Sequence, residues 1–172
     1  MLLLALGSVG FECGSPVNAN TGFDLWCGDA LCGWSVDKGD VERVSTWHER
    51  DYAALLIGPE VELTQVVVPD TGPCGGLGLG FEDGTTPHDL DVRLLGSAEP
   101  GTTVSFEADD DEDGTIDYRQ DLPSVWPEWA DVGGTIVPPP RQGGRPVVLR
   151  VRKVGEGQAA IAQVVIWDSC AW

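Results

Sequence analysis

The chain has 172 residues, enough for one domain with a real hydrophobic core, and ten basic residues against 28 acidic ones give it a formal charge of −18. That charge repels phosphate backbones and anionic headgroups and excludes nucleic acid as a partner. Two lysines, Lys38 and Lys153, beside 23 glycines and 12 prolines mark a turn-rich, secreted β protein rather than a helical one.

Residues 1–19 read as a signal-like or membrane-targeting segment, because Met1 to Gly10 is an apolar run resembling a signal-peptide core. The run is too short to span a bilayer. Val17-Asn18-Ala19 fits a peptidase site, and Cys13 is the alternative, as a lipid-anchored cysteine; simple secretion fits better, since Phe11 and Glu12 suit a lipoprotein signal badly. Either route removes Cys13 from the five cysteines. Four then allow three connectivities, of which Cys27 with Cys32 and Cys74 with Cys170 is preferred. Zinc is a poor reading, with no second close pair and with His48 and His88 distant.

From residue 20 onward the chain reads as a single β-sandwich domain. Short β-like runs recur about every ten residues. Strands are predicted over Gly22–Trp26, Gly33–Val36, Val41–Thr46, Ala53–Ile57, Val61–Val68, Leu77–Phe81, Leu90–Leu95, Thr102–Ala108, Thr115–Leu122, Val147–Val154 and Ala159–Trp167. In Leu77–Phe81, Gly78 and Gly80 leave one face bare, a place where something packs closely. In Val147–Val154, Val147, Leu149 and Val151 alternate with Val148, Arg150 and Arg152, so both arginines share a wet side and offset acids there. Pro138 to Pro140 with Gly143 and Gly144 form the clearest loop.

Between two of these strands lies Asp109 to Asp117, with the sequence DDDEDGTID. Carboxylates this dense call for a cation, and the spacing follows a calcium loop. Asp109, Asp111, Asp113 and Asp117 offer side-chain oxygens, Thr115 stands at the carbonyl position, Gly114 makes the sharp turn and Ile116 is expected to point inward. Gln120 replaces the bidentate glutamate, which weakens the site or leaves it to Asp121 or water. The alternative is a solvated acidic hairpin tip.

Asn20-Thr21-Gly22-Phe23-Asp24, followed by Gly33-Trp34, resembles the opening of the jelly-roll carbohydrate-binding modules of the galactose-binding-domain-like fold. Ala53–Ile57, Thr64-Gln65-Val66 and the closing Val165-Ile166-Trp167-Asp168 are similar to later segments of that family, in the same order. The resemblance implies an all-β jelly-roll sandwich of about ten strands. It also implies a structural calcium ion between the first and last strands, held by Asp24 and Asp168. Asp24 stands where the family has Glu, one methylene shorter.

Sugar-binding jelly rolls stack exposed aromatic faces on pyranose rings. Trp34 and Trp167 match core strands and are expected to be buried. Trp47, Tyr52, Trp126 and Trp129 are the candidate ligand-binding aromatics, and His48, Glu49, Arg50 and Asp51 surround Trp47 with polar groups. Catalysis is the weaker class, for no carboxylate pair is marked and neither Ser97 nor Ser124 sits in a nucleophile elbow. The expectation is a secreted or cell-surface, calcium-stabilised, non-catalytic module that binds a glycan or surface polysaccharide. A structural or protein-interaction domain of the cell surface is the alternative.

Overall fold

A computed structural model describes residues 18–45, 52–67, 89–109, 114–136 and 146–169; of these, the side chains of 89, 90, 136, 168 and 169 are left aside. Ten strands fill the described residues: β1 (Trp26–Cys27), β2 (Ala30–Leu31), β3 (Ser35–Ser45), β4 (Tyr52–Val67), β5 (Asp89–Ala98), β6 (Thr103–Asp109), β7 (Tyr118–Leu122), β8 (Ala130–Ile136), β9 (Val147–Val154) and β10 (Ala159–Ser169). All pairings are antiparallel. None of the described residues forms a helix long and apolar enough to cross a membrane.

Two layers arise from one bent strand. The second half of β4 pairs with β9, which continues to β6 and β7. Its first half pairs with β10, which continues to β5 and β8. The bend falls at Gly58 and Pro59, where Gly58 takes a φ of 107° that an L side chain rarely adopts. β3 follows β4 around this corner, with register shifts between Val36 and Asp40.

The core lies between the layers and takes alternate residues from each strand. Val104, Phe106, Leu149, Val151 and Leu63 face Val92, Leu94, Ile161, Val164 and Ile166 from the other side, all buried. Phe23 stacks on Trp34, ring centroids 5.4 Å apart, and plugs one end. Trp34 is buried as expected. The segment ahead of β1 is laced to the last strand by side chains: Asn18 Nδ2 donates to the Val164 carbonyl, the Ile166 N–H donates to Asn18 Oδ1, and the Val164 N–H donates to the Thr21 carbonyl. The Asn20 side chain holds the following turn through the Leu25 N–H and the Leu25 and Cys32 carbonyls. Cys27 and Cys32 form the expected disulfide across the β1–β2 hairpin.

Several predicted boundaries change. Four of the predicted segments fuse pairwise into β3 and β4, because the glycines and proline between them bend strands without ending them. Of Gly22–Trp26 only Trp26 is strand, and β2 is a short strand between Cys27 and Cys32 that was not predicted. β8 had no counterpart in the sequence reading. Leu77–Phe81, Cys74, Cys170, Cys13 and the loop around Pro138 lie outside the described residues.

Candidate functional site

The outward side of the β10–β5–β8 layer carries a shallow groove of about 420 Å³, lined by Asp91, Val92, Arg93, Asp131, Gly133, Gly134, Thr135 and Trp167. Its making follows from register. Val92 and Leu94 point into the core, so Asp91 and Arg93 point out. Trp167 of β10 stands opposite Asp91, and Asp91 stands opposite Thr135 of β8, so ring, carboxylate and hydroxyl share one row across three strands. Thr135 Oγ1 donates to Asp91 Oδ1 at 2.7 Å. Arg93 faces Gly133, and its Nε reaches diagonally to the two oxygens of Asp131 at 2.8 and 3.0 Å, while Nη2 also donates to Oδ2.

Glycine makes the floor bare. A Cβ on Gly133 would lie 2.8 Å from the Val92 carbonyl oxygen, and one on Gly134 would run into the Tyr118 hydroxyl. Side chains are therefore barred at both positions by close packing. Burial against this end of the core also raises the Tyr118 pKa above its ordinary value. A half-buried indole beside an open strand, with donors and acceptors around it, suits a flat polyhydroxylated ligand.

Trp167 was expected in the core. Instead it is half-buried and outward, because the register shift between Ile161 and Gln163 resets which β10 residues face in, leaving Val164 and Ile166 as the core residues. Asp91 and Arg93 fall in the predicted Leu90–Leu95 strand but were not singled out, and Asp131, Gly133, Gly134 and Thr135 were missed with β8 itself; the alternation of Asp131 and Thr135 with Val132 and Ile136 was the available signal, broken by two glycines.

The aromatics singled out from sequence are dispersed. Tyr52 is half-buried at the end of β4, on the core side, with the Arg43 guanidinium 4.9 Å from its ring centre. Trp129 packs on the outward satellite cluster of Ala53, Leu95 and Ala162, along with Val44. Tyr52 and Ala53 are adjacent in β4, so Tyr52 and Trp129 belong to opposite sides of that layer. Trp126 is half-buried in the β7–β8 connection, its N–H donating to the Ala98 carbonyl and its bond to Pro127 cis. Trp47 and residues 48–51 lie outside the described residues.

Of the acidic loop, Asp109 closes β6 and is 1% exposed. Its Oδ2 accepts from the Gly114 N–H at 3.1 Å and lies 3.5 Å from Arg150, while its Oδ1 is buried with no hydrogen-bond partner among the described residues. Gly114 has φ 85°, as a sharp turn requires, and the Asp117 N–H closes the loop onto the Ala108 carbonyl. Thr115 and Asp117 are exposed. Ile116, expected to point inward, is 43% exposed, since the turn ends before β7 resumes the alternation. Asp111 and Asp113 lie outside the described residues, as does the side chain of Asp168, and Asp24 is exposed. Among the described residues no three acids, histidines or cysteines converge.

The opposite layer has a charged outward side. Arg152 reaches Glu60 at 3.3 Å and Arg119 reaches buried Glu107 at 3.1 Å, so the arginines of β7 and β9 offset acids as the alternation implied. Ser35 and Thr64 donate to Asp37, and Lys38 with Arg152 holds Glu60; the stronger cause in each case, the Thr64 hydroxyl and the Lys38 ammonium, helps keep both carboxyls below their ordinary pKa.

No protein-family profile matches the sequence, and no curated protein matches it. Solved structures do match the architecture. TmCBM61, determined in complex with β-1,4-galactotriose, is similar over 90% of this chain and 99% of its own, at 16% identity and a TM-score of 0.62. The CBM22-1 xylan-binding domain from Paenibacillus barcinonensis Xyn10C is similar over 95% of this chain and 100% of its own, at 10% identity and a TM-score of 0.58. An apo form cyclase from Fischerella sp. is similar over 93% of this chain and 98% of its own, at 12% identity and a TM-score of 0.63. The chain has the all-β, jelly-roll, galactose-binding-like sandwich fold that carbohydrate-binding modules use.

Proposed function

We propose that the protein is a non-catalytic, extracellular carbohydrate-binding module whose ligand lies in the Trp167 groove. The observation that carries this reading is the half-buried Trp167 ring set beside the bare Gly133–Gly134 strand, with the Asp91–Thr135 and Arg93–Asp131 pairs at hand. An apolar ring face with a few fixed polar groups is what sugar recognition requires. Trp129 packs over Leu95, four residues along β5 from Asp91, about 14 Å at strand rise, so the outward side suits a chain of sugars rather than one ring. Galactotriose and xylan, named for two proteins of the same fold, are the first ligands to try.

The non-catalytic part rests on the groove's carboxylates. Asp91 and Asp131 stand on an open wall and each already accepts a hydrogen bond, unlike the buried acid that glycoside hydrolysis needs. The cyclase of the same fold is a reminder that a fold hosts more than one chemistry. Export is supported by the apolar start of the chain and by the Cys27–Cys32 disulfide. A glycan array tests the reading: retention of one glycan class supports it, and silence across the array points to the protein-interaction alternative.

Calcium belongs to the same proposal. The Oδ1 of Asp109, buried and without a hydrogen-bond partner among the described residues, fits a bound cation, which would complete its shell with Asp111, Asp113, the Thr115 carbonyl and Asp117. Asp24 with Asp168, the pair that the family resemblance implies, is the second proposed pair. Bound calcium would neutralise crowded carboxylates and fasten the β6–β7 connection. Chelation is expected to lower the melting temperature and calcium to restore it, by linkage; identical melting curves would remove the metal from the proposal.

A further inference from the structure

We propose that Asp131 sets the ligand specificity of the groove: by pairing with the side-on face of the Arg93 guanidinium and neutralising it, Asp131 disfavours acidic glycans and leaves the groove selective for uncharged ones. This rests on the glycan reading above and deepens it.

Among the described residues that line the groove, Arg93 is the one cation, and its Nε and Nη2 both donate to Asp131. A guanidinium uses this side-on, two-nitrogen arrangement toward any carboxylate. Asp131 occupies the side-on face and neutralises the guanidinium, so a uronic acid carboxylate meets a compensated cation with its side-on face already taken. The register makes the arrangement available, because Arg93 stands opposite Gly133, where no side chain intervenes, and Asp131 is two residues along the same outward side.

The pair does little for folding. Its side chains are 50% and 44% exposed, and solvent-exposed ion pairs contribute only about 0–1 kcal/mol. Its consequence lies in what the groove admits. Among the described residues of the lining, Asp91 and Asp131 against Arg93 leave one net negative charge, inside a chain whose formal charge is −18. Like charge held at a binding surface rejects an anionic competitor, whereas sugar hydroxyls donate to carboxylate oxygens such as those of Asp91.

Affinity gel electrophoresis at fixed ionic strength tests this, with galactan and xylan as neutral matrices and polygalacturonate and alginate as acidic ones. Wild type is expected to be retarded by a neutral polysaccharide and by neither acidic one. Asp131→Asn removes the charge, and Asp131→Ala removes the acceptor from the side-on face of Arg93. Each is expected to bind an acidic matrix about tenfold more tightly than wild type, equivalent to about 1.4 kcal/mol. Adding Arg93→Ala should abolish that gain. A gain of binding does not arise from misfolding, and thermal melts of all variants confirm the fold. If wild type already binds acidic matrices, or if neither Asp131 variant gains them while neutral binding is seen, the specificity proposal is overturned and the glycan reading stands. A wild type retarded by none of the four matrices overturns this proposal, and silence on the glycan array as well overturns the glycan reading.

Discussion

Lys153 shows how one residue fixes the corner on which both layers depend. It closes the inward series of β9 yet is 1% exposed, and its ammonium donates to the carbonyls of Gly58 and Gly155. Those carbonyls belong to the β4 bend and the β9–β10 turn, so the charge ties the two together. Burial pulls its pKa below the ordinary lysine value. Lys153→Met keeps the apolar stem and removes the donors; since hydrogen bonds to charged groups contribute about 1.5–3 kcal/mol, urea unfolding should show a loss of about 2 kcal/mol. An unchanged midpoint would mean that water replaces the ammonium at both turns. In sequence Lys153 reads as the last alternating position of a strand, and only the fold reveals the carbonyls waiting for it. Trp167 is the converse case, a tryptophan in an apolar run whose outward placement depends on a register shift that periodicity does not show.

Among the elements, β9 was legible to the residue, because its inward Val147, Leu149 and Val151 alternate with polar neighbours without interruption. β8 was not, because Gly133 and Gly134 stand where close approach of Val92 and Tyr118 forbids side chains, and a strand without side chains has no periodicity. The groove is thus built from the element that sequence conceals best. β3 and β4 were each seen as two strands, since Gly39, Gly58 and Pro59 look like punctuation although the chain uses them to turn a corner. The β1–β2 hairpin was foreseen only as a disulfide. Closing its short loop through Cys27 and Cys32 should contribute about 2 kcal/mol, so selective reduction or Cys27→Ser/Cys32→Ser should lower stability by that amount. Since the Asn20 side chain holds the same turn, the fold should survive the loss, and near-ultraviolet circular dichroism should stay native.

At the scale of the whole molecule, a formal charge of −18 is distributed over a sandwich whose outward sides pair acids with nearly every described cation. Two acids on these outward sides, one held by hydroxyls and one by cations, make stability depend on pH. Asp37 and Glu60 have folded pKa values below their ordinary 3.8 and 4.5. Their contribution is present above those values and is lost as pH falls through the folded ones, so the melting temperature should decline below about pH 4.5. Asp37→Asn, which removes the carboxylate that Thr64 and Ser35 hold, should make that decline shallower; an identical acid limb would assign it to other carboxylates.

The sandwich followed from strand spacing and the order of family-like segments, whereas the groove required three strands to be brought into register. Isothermal titration of wild type and Trp167→Ala with a neutral oligosaccharide selected on the array tests that juncture most directly. Because stacking on an aromatic face contributes on the order of 1 kcal/mol or more beyond the area it buries, the variant should fold normally and bind at least about fivefold more weakly. Undiminished affinity in Trp167→Ala would place the ligand elsewhere on the molecule.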